Sequence, residues 1–385
     1  MNPLFEVLAL APIEQQERGL VYTPAEIAQQ PTTWQETSGI FAQHEAQLRP
    51  FLQPVVDEQW MVYLVGAGSS DYISHSLTHL LRRQWSIEVN AVASTDLLTN
   101  ADDLVLPNRK YLWISFSRSG DSPEAVAVLQ HALQHFQHVR HLVVSCNKDA
   151  AMVRIAREHK NCMAVVLADA VNDRSLAMTS SFTNMIVFGQ LLAHLWNRGD
   201  YSATLASMRR AAEYLLDEGA LLAERCAQQG FSNVCFVGAG ALAAAARESA
   251  LKLTELTAGA TTAMSETTLG LRHGPMSSLN MDTLFVILLS QDERRQRYDS
   301  DLVTEIRRKQ VVRSIVAIGG LIPSADCSLY HPSFEGIKDC YLPAVDVIFG
   351  QMLGLFCSMH HELKPDSPSP AGVISRVVEK FAIYA

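Results

Sequence analysis

The chain has 385 residues, of which 48% are hydrophobic and 18% charged, and its formal net charge is −9. This length allows two or three domains with cores of their own, and the composition is that of a compact protein, not a disordered one. The acidic balance, without any run of lysine or arginine, argues against nucleic acid as the main partner, because phosphate backbones require a basic surface.

Cysteine usage and hydropathy indicate the compartment. The seven cysteines form no CxxC pair and mostly have apolar neighbours, so we expect reduced core residues and no zinc site. The N-terminus lacks a basic stretch followed by an apolar core, which predicts no signal peptide. The most apolar long segment, Val345 to Met359, is too short to span a bilayer and is predicted to be a packed helix. We therefore expect a cytoplasmic protein that needs neither membrane, metal nor cofactor.

The N-terminal segment, residues 1–58, is predicted to be a helical extension. Thr23-Pro-Ala-Glu26 has the pattern of a capping box with proline at the first helical position. The segment is too short to be a catalytic domain, so we expect it to pack on the rest of the chain or on a partner subunit.

A first strand, Val62 to Val65, runs into the turn Gly66-Ala-Gly-Ser-Ser70. Serine hydroxyls directly after a strand can contribute to an anion site, which makes Ser69 and Ser70 candidate ligand-binding residues. A GxGSS turn is a weak signal when it stands alone.

A second strand, Leu112 to Ser115, leads into the most informative stretch of the chain, a serine-rich turn that runs into a helix. Ser122 is predicted to cap this helix, with Pro123 at its first position. Ser117, Ser119 and Ser122 then lie at a helix N-terminus, where free N–H groups and the helix dipole favour an anion. An ordinary strand-to-helix turn would also contain serine and glycine, but this density favours a phosphate site.

The same strand pattern recurs 172 positions later, which predicts a duplicated domain. The matching strands are Val62–Gly68 with Val234–Gly240, Tyr111–Ser115 with Thr283–Ile287, and His141–Ser145 with Arg313–Ala317. Strands that alternate with helix-length segments indicate an α/β fold, with one doubly wound, flavodoxin-like parallel sheet in each half. The predicted segments are the extension 1–58, the first half 59–200, a helical connector 201–229, the second half 230–364 and a tail 365–385.

The two halves differ where the serines lie. At the same offset, Ser117, Ser119 and Ser122 correspond to Leu289, Gln291 and Arg294. The phosphate site is therefore predicted once, in the first half.

The second half contains a helix, Ala241 to about Ala258, that is apolar almost all round and is therefore expected to be buried. Glu248, Lys252 and Glu255 nevertheless form one stripe on it, at spacings of four and three. Buried charge is costly unless it is paired or used. An internal salt bridge and a catalytic role explain this stripe equally well.

A glycine-punctuated loop, Glu266 to Ser277, carries His273 beside a Gly-Pro turn. Histidines in such loops are usually ordinary surface residues. A carboxylate, a lysine and a histidine near a phosphate site nevertheless suit proton transfer on a sugar phosphate, with the carboxylate as base and the histidine opening the ring.

The motifs GAGSS, SFSRSGDSPE, ESALKLTELTAG and LRHGP resemble the sugar isomerase (SIS) domain family over both halves of the chain. The isomerase portion of glucosamine-6-phosphate synthase, a member of that family, has two SIS domains and a glutamate base on a KLxE helix. The resemblance implies a phosphate site made of Ser70, Ser117, Arg118, Ser119 and Ser122. It further implies that Glu255 is the base that acts at C1 and C2, with Lys252 as its partner. His273 would assist ring opening from a neighbouring subunit, so the resemblance implies a homodimer or homotetramer with a shared active site.

Within this family, the segments AEIAQQPTTW, NDRSLAMTSSFT and PDSPSPAGVISRVV resemble the AgaS group of galactosamine and N-acetylgalactosamine use. This resemblance extends over nearly the whole chain. Proteins of this group have been described both as tagatose-6-phosphate ketose/aldose isomerases and as galactosamine-6-phosphate deaminases. By position, Thr179 and Ser180 are expected to border the sugar.

Two differences from the synthase indicate the direction of the reaction. The chain begins Met1-Asn2, without the N-terminal cysteine of a glutaminase, so we expect release of ammonia from galactosamine 6-phosphate to give tagatose 6-phosphate. The synthase has a lysine in its C-terminal tail, whereas this tail offers Arg376, for which a catalytic role is doubtful. The alternatives are a ketose/aldose isomerase without ammonia release and a sugar-phosphate sensor without catalysis.

Overall fold

The structure is a computed structural model that describes residues 2–197, 199, 201–369 and 371–384. The chain divides into two compact units, each with one sheet. The N-sheet unit comprises residues 33–173, 180–201 and 374–385, and the C-sheet unit comprises residues 1–32, 174–179 and 202–373. The predicted extension 1–58 is thus divided between the units, the predicted connector 201–229 groups almost entirely with the C-sheet unit, and the predicted tail 365–385 is divided after residue 373.

Helices and strands alternate along most of the chain. The helices are α1 Pro3–Leu8, α2 Pro12–Arg18, α3 Thr23–Ala28, α4 Gln30–Asp57, α5 Ser69–Trp85, α6 Ser94–Leu104, α7 Pro123–His135, α8 Ala151–Glu158, α9 Ser180–Ala193, α10 Tyr201–Tyr214, α11 Ala220–Gln228, α12 Leu242–Leu256, α13 Glu293–Lys309 and α14 Pro343–His360. The strands are β1 Met61–Gly66, β2 Val89–Ala93, β3 Tyr111–Ser117, β4 Val139–Ser145, β5 Cys162–Val166, β6 Asn233–Gly238, β7 Thr262–Glu266, β8 Thr283–Leu288, β9 Ser314–Ile318 and β10 Cys327–Leu329. A π-helix, Leu215–Gly219, joins α10 to α11.

The two sheets have the same topology. The N-sheet runs β2-β1-β3-β4-β5 and the C-sheet runs β7-β6-β8-β9-β10, with all neighbours parallel. This is the flavodoxin-like order, in which the crevice for a ligand opens at the carboxyl ends of the first and third strands. The predicted fold class, two tandem α/β domains with one parallel sheet each and a helical N-terminal region, is confirmed.

The register confirms the offset of 172 for the first and third strands of each sheet but corrects it for the fourth. Met61 pairs with Tyr111, and Asn233 pairs with Thr283. In the next pair, however, Leu112 lies opposite Arg140 whereas Leu284 lies opposite Ser314, an offset of 174. Two residues have been gained between β8 and β9, and a shift of two keeps each side chain on its face of the sheet.

The apolar character of the strands and of α14 explains why they form the interior of the fold. All six residues of β8 are buried, as expected for a parallel strand covered on both faces. The segment predicted as a packed helix forms α14, which is buried over nearly its whole length. No helix among the described residues is long and apolar enough to cross a membrane.

The predicted capping box at Thr23 and Glu26 is wrong. The Asp366 carboxylate accepts hydrogen bonds from the backbone N–H groups of Val21 and Thr23, at 2.8 and 2.7 Å, and so caps α3. Glu26 instead accepts a hydrogen bond from the hydroxyl of Ser175 at 2.5 Å. A side chain 343 residues away provides the cap, which a local pattern could not reveal.

All seven cysteines are free, as predicted. Cys146, Cys226, Cys235 and Cys357 are buried in the core. Cys162 and Cys340 are half-buried and Cys327 is exposed, so these three depart from the expected core position.

Candidate active site

The two serine-bearing turns lie side by side at one edge of the N-sheet. Because β1 and β3 pair in parallel, their carboxyl ends, Gly66 and Ser117, are neighbours at the crevice of the sheet. Helices α5 and α7 begin directly beyond these ends, so both direct their N-termini, with free N–H groups, towards the crevice.

The first turn needs its glycines. A Cβ on Gly66 would lie 2.4 Å from the carbonyl carbon of Ser70, so only glycine lets the helix begin so close to the strand. Gly68 has a φ of 56°, which favours glycine for conformational reasons. Ser69 and Ser70 follow at once as the first residues of α5, with exposed fractions of 5% and 6%.

The second turn is held by hydrogen bonds of its own. The hydroxyl of Ser117 accepts a hydrogen bond from the N–H of Gly120 at 3.0 Å, and that of Ser119 accepts one from the N–H of Asp121 at 3.3 Å. Asn147, beyond β4, donates a hydrogen bond to the carbonyl of Ser119 at 3.1 Å. A serine that accepts in this way keeps its own proton for donation to a ligand.

Ser122 occupies the N-cap position of α7 and Pro123 the next, as predicted. The Ser122 hydroxyl, however, makes no capping hydrogen bond to the helix. The N–H groups of the first turn therefore remain available to an anion.

The structure brings Arg376 next to Arg118. The guanidinium of Arg118 donates to the backbone carbonyl of Arg376 at 2.6 Å. The guanidinium of Arg376 donates to the carbonyl of Asp173 and to the side chain of Asn172, both at 2.7 Å. Arg376 thus anchors the tail beside the serine-rich turn, a structural role that the sequence did not suggest.

Thr179 and Ser180 are both fully buried. The Asp173 carboxylate accepts hydrogen bonds from the N–H groups of Ser180 and Ser181, at 3.1 and 2.9 Å, and so caps α9. In the described conformation neither predicted sugar-bordering side chain is exposed. Sequence analysis overlooked Asp173, although an aspartate shortly before the TSS segment is the kind of residue that caps a helix.

The charged stripe on α12 is an ion-paired cluster in the C-sheet unit. The Lys252 ammonium lies 2.5 Å from Glu255 Oε2 and 3.3 Å from Glu248 Oε1. The side chains of Lys252 and Glu248 are 0% exposed, whereas that of Glu255 is 22% exposed. Burial alone would lower the pKa of Lys252, but the two carboxylates outweigh it and raise this pKa above its ordinary value. Glu255 is therefore the one carboxylate of the three-residue cluster that a ligand can reach.

Two glycines on α14 explain why Lys252 is buried. A Cβ on Gly350 would lie 2.3 Å from the hydroxyl of Ser249, and a Cβ on Gly354 would lie 3.2 Å from the carbonyl of Lys252. Without side chains at these positions, α14 packs directly against α12 and excludes solvent from the stripe.

The loop that carries His273 lies on the opposite face of the C-sheet. It forms two short 3-10 turns, Gly270–Arg272 and Pro275–Ser278, where the N-sheet has α6. Leu271 packs with α13 in a cluster that contains no residue of α12 or α14. His273 itself is exposed, whereas its neighbour Arg272 is bonded to Glu305 of α13 at 2.7 Å.

Neither unit offers a metal centre among its described residues. No group of three or more histidine, cysteine, aspartate or glutamate side chains in the described ranges is arranged to hold an ion.

The chain is similar over nearly its whole length to known proteins. An AgaS protein of Streptomyces coelicolor is 37% identical over 377 residues, 95% of this chain and 96% of the relative. The D-galactosamine-6-phosphate deaminase AgaS of Escherichia coli O157:H7 is 33% identical over 369 residues, 94% of this chain and 95% of the relative. A solved structure from Clostridium novyi, proposed to be a tagatose-6-phosphate ketose/aldose isomerase, is 29% identical and covers 96% of both chains with a TM-score of 0.92. No family model matches the chain.

Proposed function

Because the chain belongs to the AgaS family of SIS proteins, we propose that it is an enzyme that converts galactosamine 6-phosphate and water to tagatose 6-phosphate and ammonia. The observation that carries the proposal is the Lys252–Glu255 pair, in which a fully buried ammonium holds a carboxylate that remains partly exposed. This arrangement supplies a base at the end of an otherwise buried helix.

Each group has a chemical task in the proposed reaction. The turns at Ser70, Ser117–Ser122 and the guanidinium of Arg118 bind the phosphate of the ring-opened sugar. Glu255 takes the proton from C2 and returns it to C1, while the amine loses one proton and O1 gains one, so that the aldehyde becomes an alcohol and C2 an imine. Water then adds to the imine, the C–N bond breaks, and ammonia leaves from a ketose phosphate.

Lys252 is proposed to orient Glu255, since its ammonium lies 2.5 Å from one carboxylate oxygen. Glu248, buried on the preceding turn of α12, balances the charge of Lys252. We propose Glu248 as a structural residue of the cluster, because no part of its side chain is exposed to a ligand.

The test is a measurement of ammonia release from galactosamine 6-phosphate. Glu255→Gln is expected to lose about 10²- to 10⁴-fold in turnover, the usual contribution of a general base, while it still binds the sugar phosphate. The matched control is Glu213→Gln, the same change at a side chain that is 54% exposed on α10, which should retain full activity. Full activity in the Glu255→Gln variant would remove this glutamate from the mechanism.

The second candidate is a ketose/aldose isomerase without ammonia release. The name of the Clostridium novyi structure favours it, and the same base would serve both reactions. Turnover of tagatose 6-phosphate without ammonia release from galactosamine 6-phosphate would establish this alternative.

We further propose a homodimer or homotetramer in the cytoplasm whose active site is shared between subunits. Helix α12 runs back from the carboxyl edge of β6 and packs on α14, so Glu255 lies near the amino edge of the C-sheet on one face. The loop with His273 packs with α13 on the other face. The sheet therefore separates the two side chains within one chain, and a His273 that acts beside Glu255 would come from another copy.

Mixing two inactive variants tests the shared site. If Glu255→Gln and His273→Ala are co-expressed, subunits of the two kinds should assemble and regain part of the wild-type turnover, because some sites then contain both intact side chains. If the two variants form mixed oligomers and remain inactive, we would conclude that both groups act in the site of a single chain.

A further inference from the structure

The turn after β8 is the counterpart of the serine-rich turn after β3. Both turns follow the third strand of the same strand order, and each leads into a helix. The helix after β8 begins two positions earlier, so the structural counterpart of the cap Ser122 is Asp292, not Arg294 as the fixed offset predicts. Asp292 accepts a hydrogen bond from the N–H of Arg295 at 3.1 Å and caps α13.

This shorter turn is filled by a carboxylate from elsewhere in the chain. Asp339, on the connection between β10 and α14, accepts a hydrogen bond from the N–H of Gln291 at 2.7 Å and one from the hydroxyl of Ser290 at 2.6 Å. The guanidinium of Arg295 donates to the same carboxylate at 2.7 Å. The Asp339 side chain is only 4% exposed, whereas the side chain of Arg295 reaches the surface and is 44% exposed.

The donors around Asp339 are those that bind an oxyanion. A backbone N–H at a helix N-terminus, a serine hydroxyl and a guanidinium are the groups with which proteins bind phosphate and carboxylate. The helix after the serine-rich turn has no side-chain cap. In the turn after β8, by contrast, Asp292 and Asp339 each accept a backbone N–H.

The network continues from this turn to the loop that carries His273. The N–H of Ser290 donates to Asp299 Oδ2 at 3.1 Å, and the hydroxyl of Thr268 donates to Asp299 Oδ1 at 2.7 Å. Thr268 lies in the same loop, five residues before His273. Asp339 therefore connects through Ser290 and Asp299 to the loop.

We propose that Asp339 is a built-in anion that occupies, in the second half, the site that corresponds to the phosphate turn of the first half. It thereby prevents a second sugar phosphate from binding at this turn and fixes the His273 loop. Asp339 is a positioning residue, since it acts on the loop through Ser290 and Asp299. The effect on catalysis rests on the proposed function, whereas the occupied anion site does not.

Chemical rescue of an Asp339→Ala variant tests the proposal on the full-length protein. Removal of the carboxylate leaves its donors around a vacancy of the size of formate. We expect the melting temperature to fall by about 5–10 °C, and sodium formate to restore at least half of this loss with a saturable dose response. Sodium chloride at the same concentrations measures the effect of ionic strength alone.

Two further variants serve as controls. Asp326→Ala removes a carboxylate that lies 2.7 Å from both Arg307 and the N–H of Ile315 but is 41% exposed, so no enclosed vacancy results and formate should have no saturable effect. Asp339→Asn keeps an oxygen near Gln291 and Ser290 and leaves no room for formate. This variant should fold and should not respond to formate. It keeps the proposal testable if the alanine variant does not fold. The proposal would be overturned if formate stabilised Asp339→Ala no more than it stabilises Asp326→Ala. It would also be overturned if formate stabilised Asp339→Asn.

The kinetic arm tests the positioning of the loop. In Asp339→Ala, kcat for ammonia release should fall about 10-fold or more while KM changes less than about 3-fold, and formate should restore kcat. An unchanged kcat in the variant would overturn the positioning role. Absence of ammonia release from the wild-type protein would refute the proposed function instead, since the melting experiment does not depend on activity.

Discussion

The buried carboxyl group of Asp346 should make the stability of the fold depend on pH. It lies on α14 with an exposed fraction of 0%, and neither of its carboxyl oxygens has a hydrogen-bond partner among the described residues. Burial raises its pKa well above the ordinary value, and the charge of Asp339 raises it further. The side chain should therefore remain protonated at pH values where ordinary aspartates are ionised.

The sign of the pH dependence follows from this direction. A carboxyl whose pKa is higher in the folded state stabilises the fold fully below its unfolded pKa of about 3.9, and this stabilisation is lost as the pH rises towards the folded pKa. Each pH unit in that interval lowers the free energy of unfolding by about 1.4 kcal/mol relative to a group that does not titrate. Asparagine has the shape of the neutral acid and does not titrate. Asp346→Asn should thus gain stability relative to the wild type as the pH rises from 4 to 7.5.

Urea unfolding at pH 4.5, 6 and 7.5 measures this difference directly. The matched control is Asp366→Asn, the same change at a carboxylate that accepts backbone hydrogen bonds from Val21 and Thr23. That variant should be less stable than the wild type at pH 7.5 by about 1–3 kcal/mol, because its caps are charge-assisted. Parallel pH curves for Asp346→Asn and the wild type would refute the reasoning.

Three further outcomes are expected. Lys252→Met should lower the free energy of unfolding by about 3–5 kcal/mol, since it leaves Glu248 buried without its cation, and the double change with Glu248→Gln should recover part of this loss in urea titrations. Gly350→Ala should cost about 1–3 kcal/mol, because its Cβ would lie 2.4 Å from that of Ser249; thermal unfolding no different from the wild type would contradict such close packing. Arg118→Met should raise KM for the sugar phosphate about 10- to 100-fold with little change in kcat, as measured by ammonia release. An effect on kcat alone would show that Arg118 does not bind the phosphate.

The features that could be predicted are those with a local signal. Buried parallel strands appear as continuous apolar runs, so three of the five strands in each half were accessible from the sequence. The turn at Ser117 to Ser122 and the stripe of Glu248, Lys252 and Glu255 each lie within a dozen residues, and the structure contains both, although Ser122 makes no capping hydrogen bond. In the stripe, the spacing of the three residues alone predicts that their side chains share one face of the helix.

The features that were missed depend on residues far apart in the chain. Asp366 caps a helix that begins at Thr23, and Asp339 fills a turn at Ser290, but no periodicity connects such positions. The fixed offset of 172 also failed beyond β8, because a shorter turn and a longer helix cannot be seen in an alignment without gaps. Chain-distant carboxylates therefore determine the ends of helices in ways that short motifs do not reveal.

The asymmetry of the two halves has a physical origin in these helix ends. A parallel α/β sheet places helix N-termini at its carboxyl edge, and each copy of the fold therefore inherits an anion site whether or not it binds a ligand. In the first half the helix after β3 has no side-chain cap, so the N–H groups of its first turn are available to solvent or to an anion. In the second half Asp292 caps the corresponding helix, and Asp339 accepts a hydrogen bond from the N–H of Gln291 just before that helix. The two halves therefore differ in a carboxylate that comes from elsewhere in the chain as well as in the serines of the turn.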